Sequence, residues 1–304
     1  MSKIRNKKYI PWLFHLPTLI TLFMITMVPF IYVVILSFRA YSLAIPRFHG
    51  QFVGLTNYAK LLFNDNRFWG SLLITAEFCL VVVSIELILG MGIATLLNQK
   101  IRGRRIFTCL IMIPMMLAPV TVGLIWRFLL NAEFGIVSYF IKILGIDLKA
   151  GLLGAKETAL FTIMVIDIWE WTPFATLIML AGLRSVPLEP VEAARIDGAT
   201  GLQIFRHIAL PLTKPLIVVA VLLRSIDSFK IFDQVYILTG GGPGSTTELV
   251  SMYAYRITFK NWNMGYGAAV VLILFLIVWL FTNFFYSVTQ KRKMPSARPR
   301  GLLP

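Results

Sequence analysis

The stretch Pro215-Leu216-Ile217-Val218-Val219-Ala220-Val221-Leu222-Leu223 runs straight into Arg224-Ser225-Ile226-Asp227-Ser228-Phe229-Lys230-Ile231-Phe232-Asp233. An apolar helix of this kind suits a bilayer, yet its second half carries four charges of alternating sign, each three residues from the next. That spacing lays Arg224, Asp227, Lys230 and Asp233 along one slowly winding ridge, where neighbours can neutralise one another. At 1.5 Å per residue Arg224 lies about 15 Å from Lys214, near mid-membrane if Lys214 marks the membrane edge. Lipid would leave such charges unsolvated, so the helix must line a water-filled cavity or a subunit interface.

Comparable apolar runs recur near 16–38, 70–97, 106–130, 159–183 and 268–288, which with 215–234 makes six spans of about the 20 residues that cross a bilayer. Of the 304 residues 58% are hydrophobic and 14% charged, and the mean hydropathy is +0.78. No water-soluble fold buries that much apolar side chain, so soluble enzymes, nucleic-acid binders and disordered tails are excluded. The first run follows Lys3, Arg5, Lys7 and Lys8 as a signal peptide would, but its length and the missing small-residue cleavage site mark a retained helix. Two cysteines, Cys79 and Cys109, lie in or beside apolar runs without metal-ligand spacing and read as packing residues.

The net charge of +15 orients the chain. Segments 1–15, 98–105, 184–214 and 289–304 hold 17 Lys and Arg with three acids, whereas 39–69, 131–158 and 235–267 hold nine with five acids. By the positive-inside rule both termini are cytoplasmic, and the basic excess needs no nucleic-acid partner. The organisation expected is a basic N-terminus (1–15), a transmembrane domain (16–288) and a basic tail (289–304) able to touch anionic lipid.

The cytoplasmic segment 185–211 does not read as a linker. Pro190, Glu192, Ala193 and Ala194 suit the first turns of a short helix. Gly198 supplies a turn, and Leu202, Phe205, Ile208 and Ala209 have helical spacing ahead of Pro211. A helix–turn–helix there fits docking on another protein and, on composition alone, fits equally an amphipathic helix lying on lipid.

Glu192-Ala193-Ala194, Asp197-Gly198-Ala199, Phe205, Ile208, Leu210-Pro211 and Pro215 resemble in register the EAA loop (184–214) of membrane subunits of ATP-binding-cassette importers. Trp169-Glu170-Trp171-Thr172-Pro173-Phe174 and Leu238-Thr239-Gly240-Gly241-Gly242-Pro243-Gly244 resemble motifs of the carbohydrate-uptake branch, the maltose and multiple-sugar type. The resemblance implies an all-α membrane protein of six helices with a coupling helix between the fourth and fifth. It also implies a second homologous permease subunit, two ATPase subunits that hold ATP and Mg, and an extracytoplasmic sugar-binding protein, in a bacterial or archaeal cytoplasmic membrane. In that frame Glu192, Ala193, Ala194, Asp197 and Gly198 form the ATPase dock. Ala193 and Ala194 permit close approach, Glu192 can pair with a base, and Asp197 is expected to cap the second helix.

Asp167, Trp171 and Phe174 fall at i, i+4, i+7 on one helix face, and aromatic faces with hydrogen-bonding acids suit sugar rings. Through the Trp169 and Pro173 motif these positions match sugar-contacting positions of a maltose-type permease, and the stretch around Asp227 and Ser228 matches another; Lys230 belongs to the same pathway. Core packing accounts equally well for Trp171 and Phe174. Pro114 and Pro119 in the third run bend a helix for packing or face a polar pathway, packing being favoured. Arg127, Glu77 and Glu86 read as structural. The glycines 240–244 are a surface for the binding protein or a simple turn.

No G-x-x-x-x-G-K-[ST] occurs in the sequence, and neither H-E-x-x-H nor G-x-S-x-G does, so no catalytic or metal site is expected and ATP chemistry falls to a partner. The competing function is an ion-coupled secondary carrier using Asp167, Glu170 or Asp227 as proton sites.

Overall fold

The computed structural model describes residues 10–45, 49–99, 101–145 and 150–291. In chain order they form α1 (Ile10–Ser37), β1 (Arg39–Tyr41), β2 (His49–Phe52), α2 (Thr56–Asn64), α3 (Asn66–Asn98), α4 (Arg104–Met112), α5 (Pro119–Leu129), α6 (Ile136–Ile143), α7 (Gly151–Gly154), α8 (Lys156–Arg184), α9 (Leu188–Ile196), α10 (Gly201–Ile204), α11 (Leu210–Phe229), α12 (Asp233–Leu238), α13 (Val250–Tyr255) and α14 (Met264–Lys291). Among the described residues five helical stretches are long and apolar enough to cross a membrane: Phe14–Ser37, Asn66–Asn98, Lys156–Arg184, Gly201–Phe229 and Met264–Ser287. Most of the two basic ends lies outside the described residues.

The third expected span, 106–130, is not one helix. α4 stops at Met112, a 3₁₀ turn covers Pro114–Met116, and α5 starts afresh at Pro119. Proline drives the residue before it away from helical backbone, and Ala118 is accordingly extended at ψ 138°. The fifth span also differs from 215–234. It starts earlier, because α10 continues through a π-helical turn, Phe205–Ala209, into α11, and it ends at Phe229. Pro211 has no N–H for the His207 carbonyl and its ring crowds that carbonyl. The turn widens instead, so that the Leu210 N–H donates to the Phe205 oxygen.

The described residues pack as two compact units, one from the stretches up to 66 and 254–276, the other from 67–253 and the stretch from 277 onward. In the first, α1 leads into an antiparallel hairpin that pairs Arg39 with Phe52 and Ala40 with Gln51, two short strands that an all-helical reading did not anticipate. The Tyr58 hydroxyl donates to Ser37 Oγ at 2.6 Å and the Tyr266 hydroxyl to Asp65 Oδ2 at 2.5 Å.

In the second unit Ala94 and Leu97 of α3 meet Met179, Leu180 and Leu183 of α8 and Ala220 of α11 in one apolar cluster. Small residues let these backbones approach. A Cβ built on Gly90 would stand 2.7 Å from the Ala175 Cβ, and one on Gly182 3.2 Å from the Thr213 methyl. Cys79 is buried in this unit, whereas Cys109 is exposed on α4 rather than packed.

The α9–α10 elbow is closed by backbone chemistry. Gly198 has φ +80°, its N–H donates to the Arg195 oxygen at 3.1 Å, and the Ala199 N–H donates to the Ala194 oxygen at 2.9 Å. This is the pair of bonds that ends a helix on a left-handed glycine. Asp197 does not cap the second helix. It ends α9, and Thr200 caps α10 instead, through a reciprocal pair of bonds with Gln203. The signal for it, Thr-x-x-Gln, stands three residues beyond Asp197.

Gly90→Val should therefore destabilise the purified protein by about 1–3 kcal/mol through overpacking. Gly92→Val, where a Cβ meets nothing within 4 Å, should leave the thermal midpoint unchanged or slightly raised. Equal midpoints for the two variants would contradict the close contact at Gly90.

Candidate functional site

Three helices of the second unit turn charged side chains inward at one level. α3 supplies Glu86, α8 supplies Asp167 and α11 supplies Arg224, with relative exposures of 0%, 1% and 2%. Arg224 Nε donates to Glu86 Oε2 at 2.6 Å, and its Nη2 donates to Glu86 Oε1 and to Asp167 Oδ2, both at 2.7 Å. The guanidinium carbon also lies 4.9 Å from the centroid of the Trp171 ring, within cation–π range. A single buried charge would be very costly; a forked, hydrogen-bonded set of opposite charges removes most of that cost.

The ridge of alternating charges is thus only partly realised. Arg224 pairs across helices rather than with Asp227. Lys230 Nζ does reach Asp227 Oδ1, at 3.0 Å. Asp233 falls beyond the end of α11, in the first turn of α12, where a carboxylate complements the helix dipole.

Next to the triad is a cavity of about 300 Å³, at the lower end of the range for ligand clefts. Asp167 and Trp171 of α8 line it together with Arg224, Asp227 and Ser228 of α11. Lys230, Ile231 and Phe232 line it from the break after α11, Asp233 and Gln234 from α12, and Pro119 from the start of α5. Both interruptions of the expected spans therefore reach this cavity. Non-helical backbone at membrane depth survives only where it is buried in protein or borders water, and the cavity supplies such a place.

Several polar atoms here have no partner within the chain. Ser228 Oγ, Gln234 Oε1 and Glu170 Oε1 are buried without a hydrogen bond, while the Gln234 amide nitrogen donates to the other Glu170 oxygen. Buried acceptors of this kind are normally met by water or ligand hydroxyls.

Of the residues that the sequence assigned to a substrate pathway, Asp167, Trp171, Asp227, Ser228 and Lys230 line the cavity. Phe174 does not; it packs edge-on against Trp171 at 6.2 Å. Trp169 is turned toward Trp126, with ring centroids 5.5 Å apart. Sequence reasoning missed Gln234 and leaned toward packing for Pro119. The signal for Gln234 was its place as the one amide in the 215–234 run. Arg127 Nη1 donates to the Ile237 carbonyl at 2.9 Å, near the end of α12, a structural role.

The two other segments singled out by motif lie apart from the cavity lining. No residue of α9 is buried, and Glu192, Ala193, Asp197 and Gly198 are exposed, with Ala194 partly so. Leu188, Leu202 and Ile196 are exposed beside them, the last at 87%. In the glycine-rich loop Gly240, Gly241 and Gly244 have positive φ. Thr247 Oγ donates to the Gly242 oxygen at 2.7 Å, so this loop is an internally bonded turn. Among the described residues no cluster of three or more His, Cys, Asp or Glu could hold a metal ion.

A family model described as binding-protein-dependent transport system inner membrane component matches residues 86–294. The chain is 38% identical over 242 residues to the trehalose/maltose transport system permease protein MalF of Thermococcus litoralis, covering 80% of this chain and 81% of that protein. It is 31% identical over 289 residues to the trehalose transport system permease protein SugA of Mycobacterium tuberculosis (strain H37Rv), covering 94% and 90%. Its fold matches a chain in the crystal structure of a bacterial ABC transporter involved in the import of the acidic polysaccharide alginate, with TM-score 0.83 at 18% identity over 95% of this chain and 98% of that one. A second structure of a bacterial alginate transporter, in complex with alginate pentasaccharide-bound periplasmic protein, gives TM-score 0.82 at 19% identity over 94% and 96%.

Arg224→Met should cost about 3–5 kcal/mol, because it strands two buried carboxylates. Adding Glu86→Gln and Asp167→Asn to it should restore much of the loss. Thermal midpoints in detergent check both; a single variant as stable as the parent would contradict the triad's role.

Proposed function

The chain belongs to the binding-protein-dependent transport system inner membrane component family, and on that premise we propose that it is the permease subunit of an ATP-driven importer that brings a carbohydrate into the cytoplasm. It is a multi-pass membrane protein. The relatives named for trehalose, maltose and starch degradation products support the carbohydrate class. Six crossings, with both termini cytoplasmic, follow if α4 and α5 together make the third.

The observation that carries the mechanism is the bare elbow. A helix with no buried residue, ending at an Ile196 that is almost wholly exposed, gains stability when another surface covers it. Ala193 and Ala194 leave room for close approach, Glu192 offers a charge to a basic partner, and the Gly198 closure fixes the angle between the two helices. An ATPase cleft that grips this elbow would pass its movement to α11 without a flexible joint, because α10 runs into α11 through the π turn. ATP and Mg then belong to two such ATPase subunits. A second permease subunit would complete the pathway. Glu77, exposed on α3 without an ion-pair partner among the described residues, calls for a polar neighbour that such a subunit would bring. The binding protein would deliver sugar on the opposite side, near the Gly240–Gly244 turn.

Within the pathway Trp171 offers a stacking face, Asp227 and Gln234 accept from sugar hydroxyls, and Ser228 can donate or accept; Asp167 and Lys230 fix the charges around them. Phe174 supports the Trp171 ring. An ion-coupled carrier finds less support: Asp167 is tied to Arg224 and Asp227 to Lys230, Glu170 alone of the three is held only by a neutral amide, and an ion-driven carrier has no need of the exposed elbow.

Glu192→Lys and Gly198→Pro should each reduce co-purification of the ATPase and lower sugar uptake at least tenfold, with insertion of the chain preserved. Uptake into ATP-loaded vesicles should persist when a proton ionophore is added. Full uptake and full ATPase capture in both variants would refute the docking role, and abolition by the ionophore would refute ATP drive.

A further inference from the structure

We propose that the cavity admits uncharged polyhydroxyl ligands and turns away anionic ones, a selection built from carboxylates that hold both cations on its wall. The proposal rests on the reading of this cavity as the substrate pathway.

An anion is best held by an uncommitted cation, and among the described residues the wall offers Arg224 and Lys230 alone. Arg224 spends three hydrogen bonds on Glu86 and Asp167, and the Trp171 ring covers its guanidinium. Lys230 is less firmly held, since its pair with Asp227 is half-exposed and weak for that reason. Moving it toward an anion would uncover Asp227 in the same cavity. Asp233 lines the wall too and has no ion-pair partner among the described residues. Three carboxylates therefore face two cations, with Glu86 behind them.

Of the unsatisfied atoms on wall residues, Gln234 Oε1 is an acceptor and Ser228 Oγ can accept or donate, while the Gln234 amide nitrogen is already given to Glu170, behind the wall. Hydroxyl groups supply the missing donors; a ligand carboxylate supplies none.

The test uses the assembled importer in lipid nanodiscs. Cys109, the exposed thiol, is replaced by Ser, and buried Cys79 is kept. Single reporters Ile231→Cys and Phe232→Cys, at partly exposed wall positions, are treated with a cationic and an anionic methanethiosulfonate of matched size. Labelling of this chain is followed by mass spectrometry, and each rate is normalised to that with a free thiol. The cationic reagent should react at least five times faster at both positions, and Asp227→Asn with Asp233→Asn should bring the ratio within twofold of one. A parent ratio at or below one, a ratio unmoved by those substitutions, or no reaction at either position overturns the proposal.

A second arm measures protection of the Ile231→Cys reporter by maltose, trehalose and a mannuronate disaccharide. Protection by a neutral sugar at a concentration tenfold or more below that of the diuronate supports the selection, and equal protection by all three overturns it. Failure of all three to protect while the reagent ratio holds overturns the admission of sugar, and with it the substrate-pathway reading, and leaves only the exclusion of anions standing.

Discussion

A guanidinium enclosed among three helices cannot be left without counter-charges, and this requirement organises the second unit of the chain. Arg224 must find Glu86 on α3 and Asp167 on α8, so the three helices are fixed in rotation as well as in distance. Residues three and four further along α11 share a face with Arg224. Fixing Arg224 inward thus also turns Asp227 and Ser228 toward the space beside the triad, where the cavity is found. Close contacts at Gly90 and Gly182 hold the same helices tightly enough for the forked bonds to form.

The cavity exists because two helices fail to continue. Proline at the start of α5 and the termination of α11 at Phe229 create irregular backbone at membrane depth, and such backbone needs protein or water beside it. The side chains that follow the second break, from Lys230 to Gln234, become wall residues rather than a further helical turn. At the other end of α11 the π turn joins the segment to α10 and so to the elbow. One stretch of chain, 188–234, thereby links the surface read as an ATPase dock to the space read as a sugar pathway.

Much of this could be read from the amino acids. Long apolar runs located the spans α1, α3, α8, α11 and α14, because a bilayer sets length and composition almost alone. The elbow was legible through Gly198 and the small residues at 193 and 194. That Asp167, Trp171, Asp227, Ser228 and Lys230 belong to one site was legible through helical spacing and resemblance, and all five line the cavity. What remained hidden depends on which partner a group chooses in three dimensions. Arg224 has an acid three residues away in sequence but bonds to Glu86, 138 residues away. Phe174 shares a helix face with Trp171 and still stands behind it. The break at Pro119 was visible as a proline, but a proline can kink a span or end it, and only the neighbours of Ala118 decide. Asp197 lost the cap to Thr200 because the position of the glycine turn, not the acid, sets where α10 begins.

The central claim is that a buried Arg224–Glu86–Asp167 lock adjoins the path of the sugar and stays closed while sugar is present. The most direct measurement is a cryo-electron microscopy map of the assembled importer trapped with sugar and a non-hydrolysable nucleotide. The account predicts sugar density against Trp171, Asp227 and Gln234, with Arg224 still bonded to both carboxylates. Sugar density confined elsewhere, or Arg224 released from Glu86 and Asp167, would contradict it.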